Sequence, residues 1–190
     1  YEGSRQADLI DIDLDVREGE FLVITDTGVP SSRIAFCYCI NGLIPHVIRG
    51  EYKGEVIVAD MRVSSTSLKA LATKVGTVFQ DPESQFCTTT VEEEVAFVPE
   101  NLGLPPEEIR RRVDFALETV GLEKMRERSP YALSGGQKQR LAIASALAMR
   151  PDIMVLIDPL SQLDPRGVDE MLDVIGKINS EYKTTVIIAE

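Results

Sequence analysis

Two apolar runs of strand length, Ile153–Ile157 (IMVLI) and Thr184–Ala189 (TTVIIA), flank a helix-patterned segment, Arg166–Tyr182. A strand without polar alternation has to be covered on both faces, and strands separated by helices pair in parallel. The rest of the chain repeats this alternation. Phe21–Thr25 reads as a buried strand, Ser32–Leu43 as a helix, and Glu55–Ala59 and Val75–Phe79 as strands. Leu9–Val16 (LIDIDLDV) alternates apolar with acidic residues, the pattern of a half-exposed strand, and REGE at 17–20 makes a turn after it. Thr90–Leu102 opens a mainly helical stretch. Pro105–Gly121 is the clearest amphipathic helix, with Glu107 and Glu108 in its first turn, Ile109, Val113, Leu117 and Val120 on one face and Gly121 at its end. The basic run Arg110–Arg112 on that helix reads as a solvated face.

The sequence LSGGQKQR, running from Leu133 into the apolar stretch LAIASALAM, reads as a helix start with a peculiarity. Ser134 and Gln137 have the spacing of a capping box, the serine oxygen meeting an early helical N–H and the glutamine reaching back. A cap alone does not need Gly135 and Gly136. Each glycine costs a helix about 1 kcal/mol relative to alanine, so two in one turn point to close backbone approach by a ligand. Free N–H groups and the positive end of the helix dipole make that ligand an anion, and Lys138 and Arg140 add positive charge. The plainer reading is a capped core helix.

Further motifs stand around this run in order. Gln80 closes the strand-like VGTVFQ and is followed by DPE; Ser161–Pro165 reads SQLDP. On these residues the chain resembles, over nearly its whole length, the ATP-binding subunits of ABC transporters, whose signature sequence is LSGGQ. Gln80 looks like the family's Q-loop glutamine and SQLDP like its D-loop. The resemblance implies an α/β, P-loop NTPase-like (RecA-like) fold: a mostly parallel sheet with flanking helices, an N-terminal antiparallel β portion and an inserted α-helical subdomain. It implies one ATP-binding domain over 1–190, with 1–80 and 151–190 as the α/β core and 81–150 as the helical subdomain carrying the signature. SQFCTTTVEEEVAF after the Q-loop, with NGLIPH at 41–46, is most similar to energy-coupling-factor ATPases that drive vitamin or metal-ion uptake.

The phosphate loop departs from the family pattern. A loop of the form GxxxxGK[ST] cradles phosphates on glycine N–H groups, reaches the outer phosphates with lysine and holds magnesium on a hydroxyl. The strand FLVIT is followed instead by DTGVPSSRIAF. Counting back from Asn41, Gly42 and Leu43 puts Arg33 at the lysine position and Ile34 and Ala35 at the Ser/Thr pair. Thr27, Pro30 and Ser32 then stand where the family has glycines, with Gly28 and Ser31 between them. Proline has no N–H to give, isoleucine and alanine cannot ligate magnesium, and arginine keeps the lysine's charge without its shape. Without the family in view this stretch is only a Gly/Pro/Ser turn.

The second acidic site departs too. The family's strand ends in Asp-Glu-Pro, the aspartate serving magnesium and the glutamate polarising the attacking water; here IMVLIDPLSQLDP puts Ile157 at the aspartate and Asp158 at the glutamate. The sequence stops at Glu190, where the family would next place its switch histidine, and appears truncated before it. The single histidine, His46, reads as a plain loop residue. Asp158 and Gln80 are the candidate catalytic residues, Gln80 also a weak magnesium ligand. Asp164 in the D-loop and Tyr1, if it is the family's adenine-stacking aromatic, complete the candidate nucleotide contacts.

With lysine, hydroxyl, aspartate, glutamate and histidine all changed or missing, and one transition-state donor typically contributing roughly 3 kcal/mol, the chain's own site should hardly hydrolyse ATP. In the family two domains pair head to tail, each signature capping nucleotide on the other's P-loop. The expectation is therefore a subunit whose Ser134, Gly135, Gly136 and Gln137 complete a competent site on a different ABC subunit. ATP and Mg2+ would then be bound mainly through that partner, and a transmembrane transporter subunit would be met near Gln80. A homodimeric ATPase with an unusual P-loop and an interaction module that binds no nucleotide are the alternatives.

Composition narrows the class. The formal charge of −11 and the lack of a basic stripe argue against a general nucleic-acid binder. No apolar run approaches a membrane span, so the expected place is cytoplasmic, peripheral on the inner face of the membrane through the transporter. Cys37, Cys39 and Cys87 have neither metal nor disulfide spacing and read as reduced structural thiols.

Overall fold

The structure, a computed structural model, describes residues 9–25 and 30–190, and side chains from Ser32 onward in the second segment. Four parallel strands form the main sheet: β1 (Phe21–Ile24), β4 (Val75–Val78), β5 (Ile153–Ile157) and β6 (Thr185–Ala189), in the order β1-β6-β5-β4. Helices α1 (Pro30–Asn41), α2 (Leu43–His46), α3 (Leu68–Ala72), α4 (Val91–Asn101), α5 (Pro106–Val120), α6 (Gly135–Leu147) and α7 (Pro165–Tyr182) connect them. This is the P-loop NTPase arrangement expected from the sequence, a mostly parallel sheet with flanking helices.

Period-two alternation in β5 and β6 builds two cores. Met154, Leu156, Val186 and Ile188 face a cluster that includes Leu117, Leu141, Ile143, Met171 and Ile175 from α5, α6 and α7. Val155, Ile157, Ile187 and Ala189 face the other way, onto Cys37 and Ile40 of α1 and Leu71 of α3. Apart from Thr185, whose Oγ1 accepts from the Gly19 N–H, both strands are apolar because their residues meet one or other of these layers.

The strand β1 differs from its reading as buried. Among the described residues it pairs with β6 alone, at the edge of the sheet, and Phe21 and Val23 are exposed. Leu9–Val16 forms no strand at all: Ile10, Ile12 and Leu14 stand in solvent and no described strand pairs with the segment. Alternation supplies the faces of a strand but not the ladder that holds it, and no described neighbour offers one. The antiparallel portion is the short ladder of β2 (Ile57–Val58) with β3 (Met61–Arg62), turned through Ala59 and Asp60 at φ of 46° and 61°. Two left-handed central residues are the hairpin geometry that matches strand twist.

From Asp81 to Met149 no described residue is in a strand. Thr90 and Glu93 make a capping box on α4, and α5 ends on Gly121 in the left-handed conformation. The Arg110–Arg112 run is not simply solvated: Arg112 donates to the carbonyls of Ala148 and Met149 at 3.3 and 3.0 Å, satisfying the open end of α6, while pairing with Glu108. His46 has a structural contact, its Nε2 lying 2.8 Å from the Val63 carbonyl.

Candidate functional site

In register, Ile24 and Ile157 both lie beside Ala189, and Val78 beside Leu156, so β1, β4, β5 and β6 end together. The crevice beyond the carboxyl ends of such strands is where α/β sheets bind ligands. Arg33 on α1, Gln80 after β4, Asp158 after β5 and Glu190 after β6 all fall there.

Arg33 and Asp158 meet. Arg33 Nη2 donates to Asp158 Oδ1 at 2.7 Å, with side chains 17% and 4% exposed. Asp158 stands at φ 49°, a left-handed conformation that aspartate tolerates better than most residues, and its N–H donates to the Ala189 carbonyl at 2.7 Å. Its other oxygen, Oδ2, is buried without a hydrogen-bond partner among the described residues. Glu190 Oε2 accepts from the Leu160 N–H at 3.3 Å; burial raises the pKa of this carboxyl, with Asp158 adding and Arg33 opposing.

The residues that counting along the motifs sets at the family's magnesium positions are hydrocarbon. Ile34 and Ile157 belong to the apolar cluster around Cys37, and Ala35 is buried at the same turn of α1. None offers the hard oxygen ligands that magnesium requires. Among the described residues no group of three or more His, Cys, Asp or Glu could hold a metal.

Cys37, fully buried beneath that site, is pushed up from 9.0 to about 12, first by burial and then by the Asp158 charge. An unfolded chain loses this proton from about pH 9 and the folded one keeps it to about 12, so the unfolded state binds fewer protons in that window and stability falls as pH rises. Cys39, Cys87 and Tyr52 are also raised and act in the same direction. We expect urea midpoints to decline between pH 9 and 10.5, and at pH 8 a thiol reagent to label exposed Cys87 while leaving Cys37 unmodified until the chain unfolds.

The signature turn is built as its sequence predicts. Ser134 N donates to Gln137 Oε1 at 3.0 Å and Gln137 N to Ser134 Oγ at 3.4 Å, a complete capping box on α6. Neither glycine adopts positive φ, so backbone conformation does not demand them. A Cβ on Gly135 would meet nothing within 4 Å, whereas one on Gly136 would lie 3.3 Å from Leu163 Cδ2 of the D-loop. Gly136 thus has a packing reason and Gly135 has none. The N–H groups of Gly135 and Gly136 belong to the first turn, where no intrahelical carbonyl accepts them.

Two expected charges are not free for an anion. Lys138 Nζ donates to Glu83 Oε1 at 2.7 Å, and Arg140 Nη1 pairs with Glu170 Oε2 at 3.4 Å. Neither acid is legible in the local pattern, because both come from elements distant in the chain. Gln80 is exposed just past β4, and Asp164 caps α7, its Oδ1 accepting from Gly167 N at 2.7 Å. Pro30 and Ser31 open α1, with Ser32 after them; Tyr1, Thr27 and Gly28 lie outside the described residues.

A groove of about 430 Å³ lies between β4 and the helices α4 and α6; Leu43, Leu68, Phe79, Phe86, Phe97 and Met149 are among its walls. Single-sequence reading missed this groove because its residues come from separate elements that only the fold brings together.

A family profile described as ABC transporter matches residues 9–161. A Pyrococcus horikoshii protein described as an ABC transporter ATP-binding protein is 50% identical over the full chain, which spans 66% of that relative; a Methanosarcina acetivorans relative is 42% identical, and the chain spans 31% of it. Among solved structures, CbiO1 from Clostridium perfringens, part of the ABC transporter complex CbiONQ, matches 94% of this chain and 69% of its own at TM-score 0.83 and 31% identity. The dimeric post-hydrolysis structure of the ATP-binding cassette MJ0796 with ADP and Pi matches 100% of this chain and 83% of its own, at TM-score 0.80 and 27% identity.

Proposed function

This chain belongs to the ABC transporter ATP-binding family, and on that premise we propose that it works as the signature-donating half of an asymmetric ATPase pair in an energy-coupling-factor-type importer. ABC ATPases bind ATP with Mg2+, dimerise and act with transmembrane subunits. In the proposed pair, Ser134, Gly135, Gly136 and Gln137 cap a triphosphate held on another ABC subunit. The chain's own site, with Arg33 against Asp158 and apolar residues at the metal positions, is catalytically silent.

The observation that carries this reading is the contrast between the two places. The signature turn has a complete cap and an unfilled space in front of Gly135, while the home site has spent its charges on each other. A homodimer of this chain would pair two intact signatures with two altered P-loops. The test mixes the chain with an ABC subunit bearing complete phosphate and magnesium motifs: the mixture hydrolyses ATP and this chain alone does not. Equal activity of the partner with and without this chain counts against the pair.

The groove supplies the second contact. Its aromatic and aliphatic walls suit an amphipathic helical segment from a transmembrane subunit, and Phe97 is a large apolar wall residue open to solvent, at 41% exposure. No described helix is long and apolar enough to cross a membrane. In the proposed assembly the chain meets the cytoplasmic face through that subunit. Replacing an aromatic anchor typically costs about 2 kcal/mol or more of binding, so Phe97→Asp should weaken co-purification with the membrane subunit at least about thirty-fold. Undiminished assembly would place the docking surface elsewhere. CbiO1's place in CbiONQ supports the importer class; the transported substrate is left open by these residues.

A further inference from the structure

We infer that Glu83 and Lys138 are positioning residues that tie the signature turn to the wall of the groove. The inference rests on reading that turn as the cap on a partner's nucleotide. Lys138 directly follows Gln137, and its side chain is only 15% exposed. It points back into its own domain, onto Glu83 at 2.7 Å, instead of toward the open space before Gly135.

Glu83 is held in turn. It lies in the 3-10 turn Pro82–Gln85, and its N–H donates to Asp81 Oδ1 at 3.1 Å. Past Ser84, Gln85 and Phe86 line the groove, and Gln85 Oε1 accepts from the Phe79 N–H at 3.0 Å. A segment settling against Phe86 and Gln85 therefore presses on the short turn whose carboxylate grips Lys138. On the opposite flank, Arg140 and Arg166 share Glu170 at 3.4 and 3.1 Å, mooring α6 to α7 just after the D-loop. The signature turn is held from two sides, and only the Glu83 side reaches the groove.

Glu83 is half exposed, and such pairs contribute little to global stability, so the pair sets a position more than it holds the fold together. The test is hydrogen exchange on the full chain, comparing wild type, Glu83→Gln, Lys138→Arg and the exchanged pair Glu83→Lys with Lys138→Glu. Glu83→Gln should speed exchange in peptides covering Gln137–Leu141 about three-fold and leave α5 and the unfolding temperature unchanged. Lys138→Arg and the exchanged pair should return the rate to that of wild type. Unchanged exchange in Glu83→Gln, equal acceleration in α5, or failure of the exchanged pair to restore the rate would each overturn the inference. A parallel ATPase measurement on the mixture with the partner subunit separates the underlying reading. If Ser134→Ala leaves that activity unchanged, the turn is no cap on a partner's nucleotide, whatever the exchange rates show about the tie itself.

Discussion

Gly135→Ala should leave this chain folded, slightly more stable, and useless to its partner. The position has no positive φ, and a Cβ there meets nothing within 4 Å. Where the native conformation suits alanine, the change from glycine typically stabilises by about 0.4–1 kcal/mol through the unfolded state. In the assembled pair the same methyl group enters the space in which a phosphate must approach the helix N-terminus. Losing one such backbone contact to a reacting phosphate costs about 10²- to 10³-fold in rate, and we expect ATP hydrolysis by the mixture to fall by that factor. The opposite signs of the two effects separate function from folding, which Gly136 could not do because its Cβ would also press on Leu163. Full activity with Gly135→Ala would mean that the open space has no ligand.

The second large effect lies at Asp158. Removing one member of a buried ion pair leaves the other charge uncompensated and costs about 3 kcal/mol, while replacing both can be nearly neutral. Asn tolerates the left-handed φ of 49°, so Asp158→Asn tests charge and not backbone strain. It should lower Tm by about 10 °C in a domain of this size. Adding Arg33→Met should recover most of the loss, because the pair acts as a unit. Simple addition of the two costs would show that the contact carries no coupling. Millimolar ATP with magnesium should not raise the Tm of the wild-type chain, since a ligand stabilises only the state that binds it.

How far the sequence foretold this structure depended on whether each signal was local. The buried strands at 153–157 and 185–189, the capping box at Ser134 and the amphipathic α5 are patterns contained within a few turns of chain, and each was legible. Leu9–Val16 misled because an alternating pattern cannot announce whether a neighbouring strand exists. At the site, counting along motifs placed Arg33 and Asp158 at the lysine and glutamate positions. That these opposite charges would pair was inferable from their placement but was not anticipated. Lys138 and Arg140 misled for the opposite reason: their positions near a helix start suggested an anion, and their acidic partners lie 55 and 30 residues away in sequence. The groove, assembled from α2, α3, β4, α4 and α6, had no linear trace.

A silent nucleotide site in this chain is decided by steady-state phosphate release from the purified chain alone, with ATP and Mg2+. We expect no release above the protein-free blank, with activity arising only when a subunit bearing complete phosphate and magnesium motifs is added. Turnover by the chain alone at about 1 s⁻¹ or faster, within the ordinary range of enzymes, would contradict it.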